Sequence, residues 1–238
     1  MDFDTMDLTQ LARYLQRDPR ELSKLANRGH LPGQKVGGEW RFARVEINYW
    51  VESQLPHYTD LELTAFERSQ ATADDQPLVA KFLSQSTIAW PLAAATRASL
   101  YKELVTLAEQ SWQVYDPDAL LQAVRQREER SSTALEVGVA LLHPRSTLPN
   151  TVLGDSVIAL GFVPAGLPFG APGGGSTDLF FLIACAEYGT HLRVLTRLSR
   201  MFLVPGFLNQ LRSVDGPGGA YRMIEEAEQN LMYSSRSA

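Results

Sequence analysis

The sequence is poor in the residues that build covalent or metal-held frameworks. Its one cysteine, Cys185, excludes an internal disulfide network and any multi-cysteine zinc site. Its four histidines (His30, His57, His143 and His191) fall at no metal-ligand spacing, so neither a metal nor a cofactor is expected. Long apolar runs are missing too. The longest near-candidate, Leu179 to Ala186, is strand-sized, whereas a membrane helix needs roughly 18 residues. The start, Met1-Asp2-Phe3-Asp4, lacks the basic and apolar regions of a secretory signal. These absences predict a soluble, cytoplasmic protein with no membrane insertion. What remains is ordinary globular material: 238 residues, 45% hydrophobic and 21% charged, enough for one large domain or two small ones.

The net charge of −5 conceals an asymmetry. Residues 13–44 hold eight basic residues (Arg13, Arg17, Arg20, Lys24, Arg28, Lys35, Arg41, Arg44) against three acidic ones, while residues 56–238 carry a net excess of five acidic groups. A basic segment joined to an acidic body points to nucleic-acid contact at one end. The same segment has a helical rhythm. Leu8, Leu11, Ala12 and Leu15 recur at helix spacing, with Asp7 or Thr9 available as a cap. Asp18-Pro19 restarts a helix whose apolar side is Leu22, Leu25 and Ala26, and Gly29 ends it. Two short β-like runs flank Gly37-Gly38, a two-residue hairpin signal. A third helix, about Ala43 to Gln54, offers Val45, Ile47, Trp50 and Val51 to a core. Leu22, Leu25, Trp40, Phe42 and Trp50 read as core residues.

Residues 56–76 are poor core material and read as a linker, with a short helix possible at Leu61–Ser69. Beyond it, Ser86–Trp90 is β-like, and Arg97–Gln110 and a segment starting at Asp116-Pro117 read as helices. Continuous apolar runs follow at Val137–Leu142, Val157–Phe162 and Leu179–Ala184, and further helices at His191–Phe202 and Tyr221–Tyr233. Buried strands interleaved with helices predict an α/β sandwich around a mixed sheet. His143 stands where a strand runs out into a proline-punctuated loop, and His191 opens a helix. From the residues alone either fits a structural role more readily than a catalytic one, and nothing in the spacing pairs them. Gly173-Gly174-Gly175 lacks a following Lys-Ser/Thr pair and is no phosphate-binding P-loop. Cys185 reads as buried, His30 as a turn residue and His57 as linker surface.

Two resemblances extend this reading. Residues 7–53, through Asn27-Arg28-Gly29-x-Leu31-Pro32-Gly33 and Lys35-Val36-Gly37-Gly38-x-Trp40-Arg41-Phe42, resemble the winged helix-turn-helix of the excisionase and MerR-like families. That resemblance implies double-stranded DNA as a partner. The second helix would offer Arg20, Ser23, Lys24, Asn27 and Arg28 to the major groove, and Lys35 and Arg41 on the wing would meet phosphates. The string Arg127-Glu128-Glu129-Arg130-Ser131-Ser132-Thr133, then Gly138 to His143, is similar to the type-2 EIIA domains of the sugar phosphotransferase system, in their fructose, mannitol and nitrogen-regulatory branch. Asp178 to Ala184 and the later His191-Leu192-x-x-Leu195-x-x-Leu198 fit the same family. The chain departs from the family in several places. Proline usually precedes the acceptor histidine, and here Leu142 precedes it and Pro144 follows. The family's Thr-Gly-Ile-Gly-like run is Thr133-Ala134-Leu135-Glu136, and a proline common after the later strand is replaced around Ala186. Pro168 to Gly175 is longer and looser than the family's loop.

By position, the second resemblance makes His143 the phosphoryl acceptor, His191 a second active-site histidine, Arg127 the nearby cation, and Ser132 or Thr133 a hydroxyl ligand. The implied donor is a small HPr-like phosphocarrier protein. The domains expected are a winged helix-turn-helix at 1–55, a linker at 56–76 and an EIIA type-2-like domain at 77–238. The expected function is a DNA-binding transcriptional regulator phosphorylated on His143, with a homodimer plausible. Two alternatives stay open: a phosphocarrier passing phosphate to a separate IIB protein, and a regulator whose EIIA domain no longer turns over and serves as a dock or sensor.

Overall fold

The computed structural model describes residues 5–70 and 77–236. The acidic start at 1–4 and the linker stretch 71–76 lie outside the described residues. The chain forms two compact units, Met1–Asp74 and Asp75–Ala238.

In the first unit, β1 (Thr5–Met6) leads into α1 (Leu8–Leu15) and α2 (Pro19–Asn27); then come β2 (Gln34–Val36), β3 (Glu39–Ala43), α3 (Arg44–Gln54) and α4 (Asp60–Ser69). Asp7, not Thr9, caps α1: its carboxylate accepts from the Gln10 amide at 2.8 Å, and the Gln10 side chain accepts from the Asp7 amide at 2.8 Å. Asp18 caps α2 with Pro19 in its first turn. Gly29, at φ +73°, closes α2, with the Gly29 amide donating to Ala26 and the His30 amide to Leu25. The hairpin turn has both glycines at positive φ, 62° for Gly37 and 88° for Gly38, which matches the twist of the flanking strands.

Leu11, Leu15, Leu22, Phe42 and Ile47 are fully buried. Leu25, Trp40 and Trp50, expected in the core, are only partly covered. Trp40 lies at the edge, stacked at 5.8 Å on Phe42 with the Lys35 ammonium 5.1 Å from its ring. Strand β1 has too few residues to show a period in the sequence; it pairs with β3, placing Met6 opposite Phe42.

The second unit contains α5 (Val79–Phe82), β4 (Ile88–Ala89), α6 (Arg97–Glu109), α7 (Pro117–Glu128), β5 (Val139–Leu142), β6 (Val157–Pro168), β7 (Ser176–Ala184), α8 (Tyr188–Leu203), α9 (Phe207–Arg212) and α10 (Pro217–Arg236). Its sheet runs β4-β6-β7-β5, with β4 parallel to β6, β6 antiparallel to β7 and β5 parallel to β7. The fold is the mixed α/β sandwich expected.

Beyond shifted ends at β5, β7 and α10 and the added helix α9, three elements differ from expectation. Strand β4 is shorter than Ser86–Trp90, because a 3-10 turn takes up Gln85–Thr87 and Pro91 has no N–H to continue the ladder. Strand β6 continues past Phe162 through an irregularity before Leu167, where Gly166 takes φ +64°. Helix α8 begins at Tyr188, so His191 sits inside its first turns rather than opening it. Because β5 and β7 are parallel and adjacent, both run out at the same end of the sheet. His143 follows the one, and α8 follows the other.

A buried carboxylate ties three helices together. Glu228 of α10 accepts from the backbone amides of Leu78 (2.7 Å), Val79 (3.0 Å) and Ala80 (2.8 Å), and from the Arg197 guanidinium of α8 at 3.0 Å. Removing the carboxylate takes the acceptor from three backbone amides in low dielectric and breaks a buried ion pair. Glu228→Ala is therefore expected to lower unfolding free energy by about 3–5 kcal/mol, read as an earlier urea midpoint. A reduction below about 1 kcal/mol would show the carboxylate to be dispensable.

Candidate functional site

The geometry is built outward from His143. Its Nδ1 lies 2.7 Å from the Leu141 carbonyl oxygen, and the Arg127 Nε–H donates to its Nε2 at 3.1 Å. A carbonyl only accepts and a guanidinium only donates, so the ring is neutral, with its proton on Nδ1 and a lone pair on Nε2. Arg127 is fixed in turn, donating to the Ser131 carbonyl at 3.2 Å. The His191 ring stands 4.8 Å from that of His143, centroid to centroid, at 53° between planes. Tyr188, one helical turn earlier on α8, packs 5.6 Å from His191 on the same measure. Both histidines are buried.

Arg127 and Glu128 are neighbours at the end of α7 that serve two different partners. While Arg127 holds the histidine, the Glu128 carboxylate accepts from the Thr133 amide at 3.0 and 3.1 Å and from its hydroxyl at 2.7 Å. The Thr133 carbonyl then accepts the Leu141 amide at 3.2 Å. A continuous path thus runs from Glu128 through Thr133 and the Leu141 peptide to His143 Nδ1. Ser132 donates to the Phe169 carbonyl at 2.5 Å and accepts from the Ala134 amide at 3.2 Å.

Of the five expected residues, the structure brings His143, His191 and Arg127 together. Those contacts of Ser132 and Thr133 run to Phe169 and Glu128 and fix the loop. Glu128 and the Leu141 carbonyl are site features that sequence reasoning missed. Glu128 stood in the quoted Arg-Glu pair, but nothing in its spacing revealed a partner five residues on.

In the first unit, Arg20, Lys24, Asn27 and Arg28 are exposed and Ser23 half-exposed on α2. At steps of three and four residues they form one stripe, apart from buried Leu22 and Ala26. On the hairpin, Lys35 is exposed and Arg41 half-exposed, with Arg41 paired to Glu39 at 3.1 Å.

Fold and site together define a two-unit chain: a helix-turn-helix unit with a basic exposed stripe, and a mixed α/β domain holding a histidine pair at one end of its sheet. Residues 81–227 match the family model of the phosphoenolpyruvate-dependent sugar phosphotransferase system, EIIA 2, and residues 5–55 match a helix-turn-helix domain. The chain belongs to the type-2 EIIA family of that system.

It is 25% identical over 150 residues to the fructose-specific EIIABC component of Bacillus subtilis strain 168, covering 62% of this chain but only 23% of that relative. The crystal structure of nitrogen regulatory protein IIA-Ntr from Neisseria meningitidis superposes with a TM-score of 0.56 at 23% identity, over 62% of this chain and 99% of that one. IIA mannitol from Escherichia coli gives 0.52 at 20% identity, over 60% and 98%. These structures share the fold. The helix-turn-helix domain points to DNA binding and transcription regulation, and the EIIA domain to phosphotransferase-system involvement. Among the described residues no helix is long and apolar enough to cross a membrane.

Cys185, close in sequence to α8, contributes no nucleophile. Burial pushes its thiol up to about 12, far from the thiolate form near neutral pH. The native protein at pH 8 is expected to resist a thiol-reactive disulfide reagent and to react fully once unfolded in guanidinium. Rapid reaction of the folded protein would contradict this burial.

Proposed function

We propose that this chain is a cytoplasmic, DNA-binding transcriptional regulator whose EIIA domain is phosphorylated on His143 Nε2 by a small HPr-like phosphocarrier protein. The observation that carries the reading is the orientation of the His143 ring. With Nδ1 held by Leu141, the lone pair of Nε2 is the nucleophile. It attacks phosphorus, the donor's P–N bond breaks, and a new P–N bond forms at Nε2. The Arg127 Nε–H, which holds that lone pair in the resting state, shifts to a phosphoryl oxygen. The chemistry asks mainly for positioning and charge stabilisation. Arg127 and His191 supply the donors, and Glu128, Ser132 and Thr133 act as positioning residues.

The phosphoryl group adds roughly −1.5 to −2 charges, as on other phosphorylated side chains. Its effect on regulation is the difference in its interaction with the DNA-bound and released states. The division proposed is a winged helix-turn-helix at 1–55, a linker at 56–76 that includes α4, and the EIIA domain at 77–238. The α2 stripe would read the major groove while Lys35 and Arg41 meet phosphates, and a homodimer would double the contact. A second reading is a phosphocarrier to a separate IIB protein. It is supported by a solved relative, enzyme IIA mannitol of Escherichia coli in complex with phosphorylated enzyme IIB mannitol, at a TM-score of 0.52 and 20% identity over 60% of this chain and 97% of that one.

Labelled phosphate from a reconstituted donor system tests the acceptor. Label is expected on wild type and His191→Ala and not on His143→Ala. An unlabelled wild type beside a labelled control EIIA domain overturns phosphorylation by that donor. DNA binding is tested by salt dependence. Removing one phosphate-binding cation, by Lys35→Ala or by Arg41→Ala, is expected to flatten the slope of log K against log salt by about 0.9. A slope unaltered in the double variant would remove the wing from the interface.

A further inference from the structure

The loop joining α6 to α7 displays two aromatic side chains to solvent. Trp112 is 84% exposed and Tyr115 is 61% exposed. Trp112 also takes φ +61°, the left-handed region that a bulky L-residue rarely enters. A large apolar ring held outward on an unfavourable backbone contributes little to folding, so its value lies elsewhere.

The loop is rigid. The Tyr115 amide donates to the Val152 carbonyl at 2.8 Å, and the Gly154 amide to the Gln113 carbonyl at 2.8 Å. The Tyr115 ring lies over Gly154 so closely that any side chain there would collide with it.

Topology puts this tip at the histidine end of the sheet. Leu153 bridges to Val114 just before β6 starts at Val157, and Val157 pairs with Ala184, the last residue of β7. His143 follows β5, which ends beside β7 at Leu142–Leu182. Helix α7 spans 12 residues, about 18 Å at 1.5 Å per residue, from this loop to Arg127. One side of a standard protein interface, about 800 Å², is roughly 30 Å across and reaches both.

The flanking stretches of chain carry one sign of charge. No lysine or arginine occurs between Lys102 and Arg125, or from 146 to 156, whereas Glu103, Glu109, Asp116, Asp118 and Asp155 do. An exposed aromatic anchor with an acidic rim fits a protein that offers an apolar pocket among basic side chains, and it repels nucleic acid.

We propose that Trp112 and Tyr115 anchor the phosphoryl-donor protein when it delivers its phosphoryl group to His143. This rests on the reading of His143 as acceptor. The test measures initial label transfer from the phosphorylated phosphocarrier over a range of concentrations of the full chain. Trp112→Gly, Tyr115→Ala and their combination are expected to raise KM, by tenfold or more for the pair, with kcat within twofold of wild type. Asp118→Lys is expected to raise KM and to weaken its salt dependence. Glycine accepts positive φ, so Trp112→Gly should melt no lower than wild type, which separates docking from misfolding. A double variant whose KM stays within twofold of wild type overturns the docking proposal while leaving the acceptor reading intact. A wild type that takes no label overturns that reading and this occupant with it.

Discussion

Glu228 decides how the helices of the EIIA domain sit against one another. A carboxylate at zero exposure is tolerable only if its oxygens are saturated, and three successive amides at the start of the domain together with Arg197 do this. The partners lie some 150 and 31 residues earlier in the chain. The bonds therefore join the domain's first helix to its last and clamp α8 between them. Since α8 carries His191, the separation of the two imidazoles depends on this clamp as much as on the sheet.

The sheet provides the other half of the site. Parallel pairing of β5 and β7 makes both strands end together, and the chain leaves one as His143 and the other into α8. The Leu141 peptide is held at both ends, its amide by Thr133 and its carbonyl by His143. Glu128 sets Thr133 and Arg127 sets Nε2, so two adjacent side chains on α7 fix both nitrogens of one ring, one directly and one through the backbone. This gives the Arg-Glu pair a physical meaning: the two residues split one task across a strand.

Local rules sufficed for most of the first unit. Asp18-Pro19, the Gly29 terminator and the Gly37-Gly38 turn are short-range devices, and each formed where the residues placed it. The basic stripe on α2 follows from helical periodicity once the buried face is known. Partial exposure of Leu25, Trp40 and Trp50 did not follow, because an apolar side chain says only that it can be buried. How much of it is covered depends on neighbours brought from elsewhere in the chain.

The second domain divides in the same way. Its apolar runs were legible as strands because buried parallel strands are continuous in hydrophobicity, and its principal helices were legible from their period. The family resemblance added the pairing of His143 with His191, which spacing alone could not provide. Strand order, the early start of α8 and the extension of β6 through Gly166 were set by packing and by hydrogen bonds between distant segments. The same holds for the tautomer of His143, the Glu128–Thr133 brace and the exposed Trp112–Tyr115 tip. Local residue patterns settled which segments become helix, turn or buried strand and which residues could carry charge or a phosphoryl group. Tertiary structure decided which of them meet, because a hydrogen bond depends on where two atoms lie in space and not on their separation along the chain.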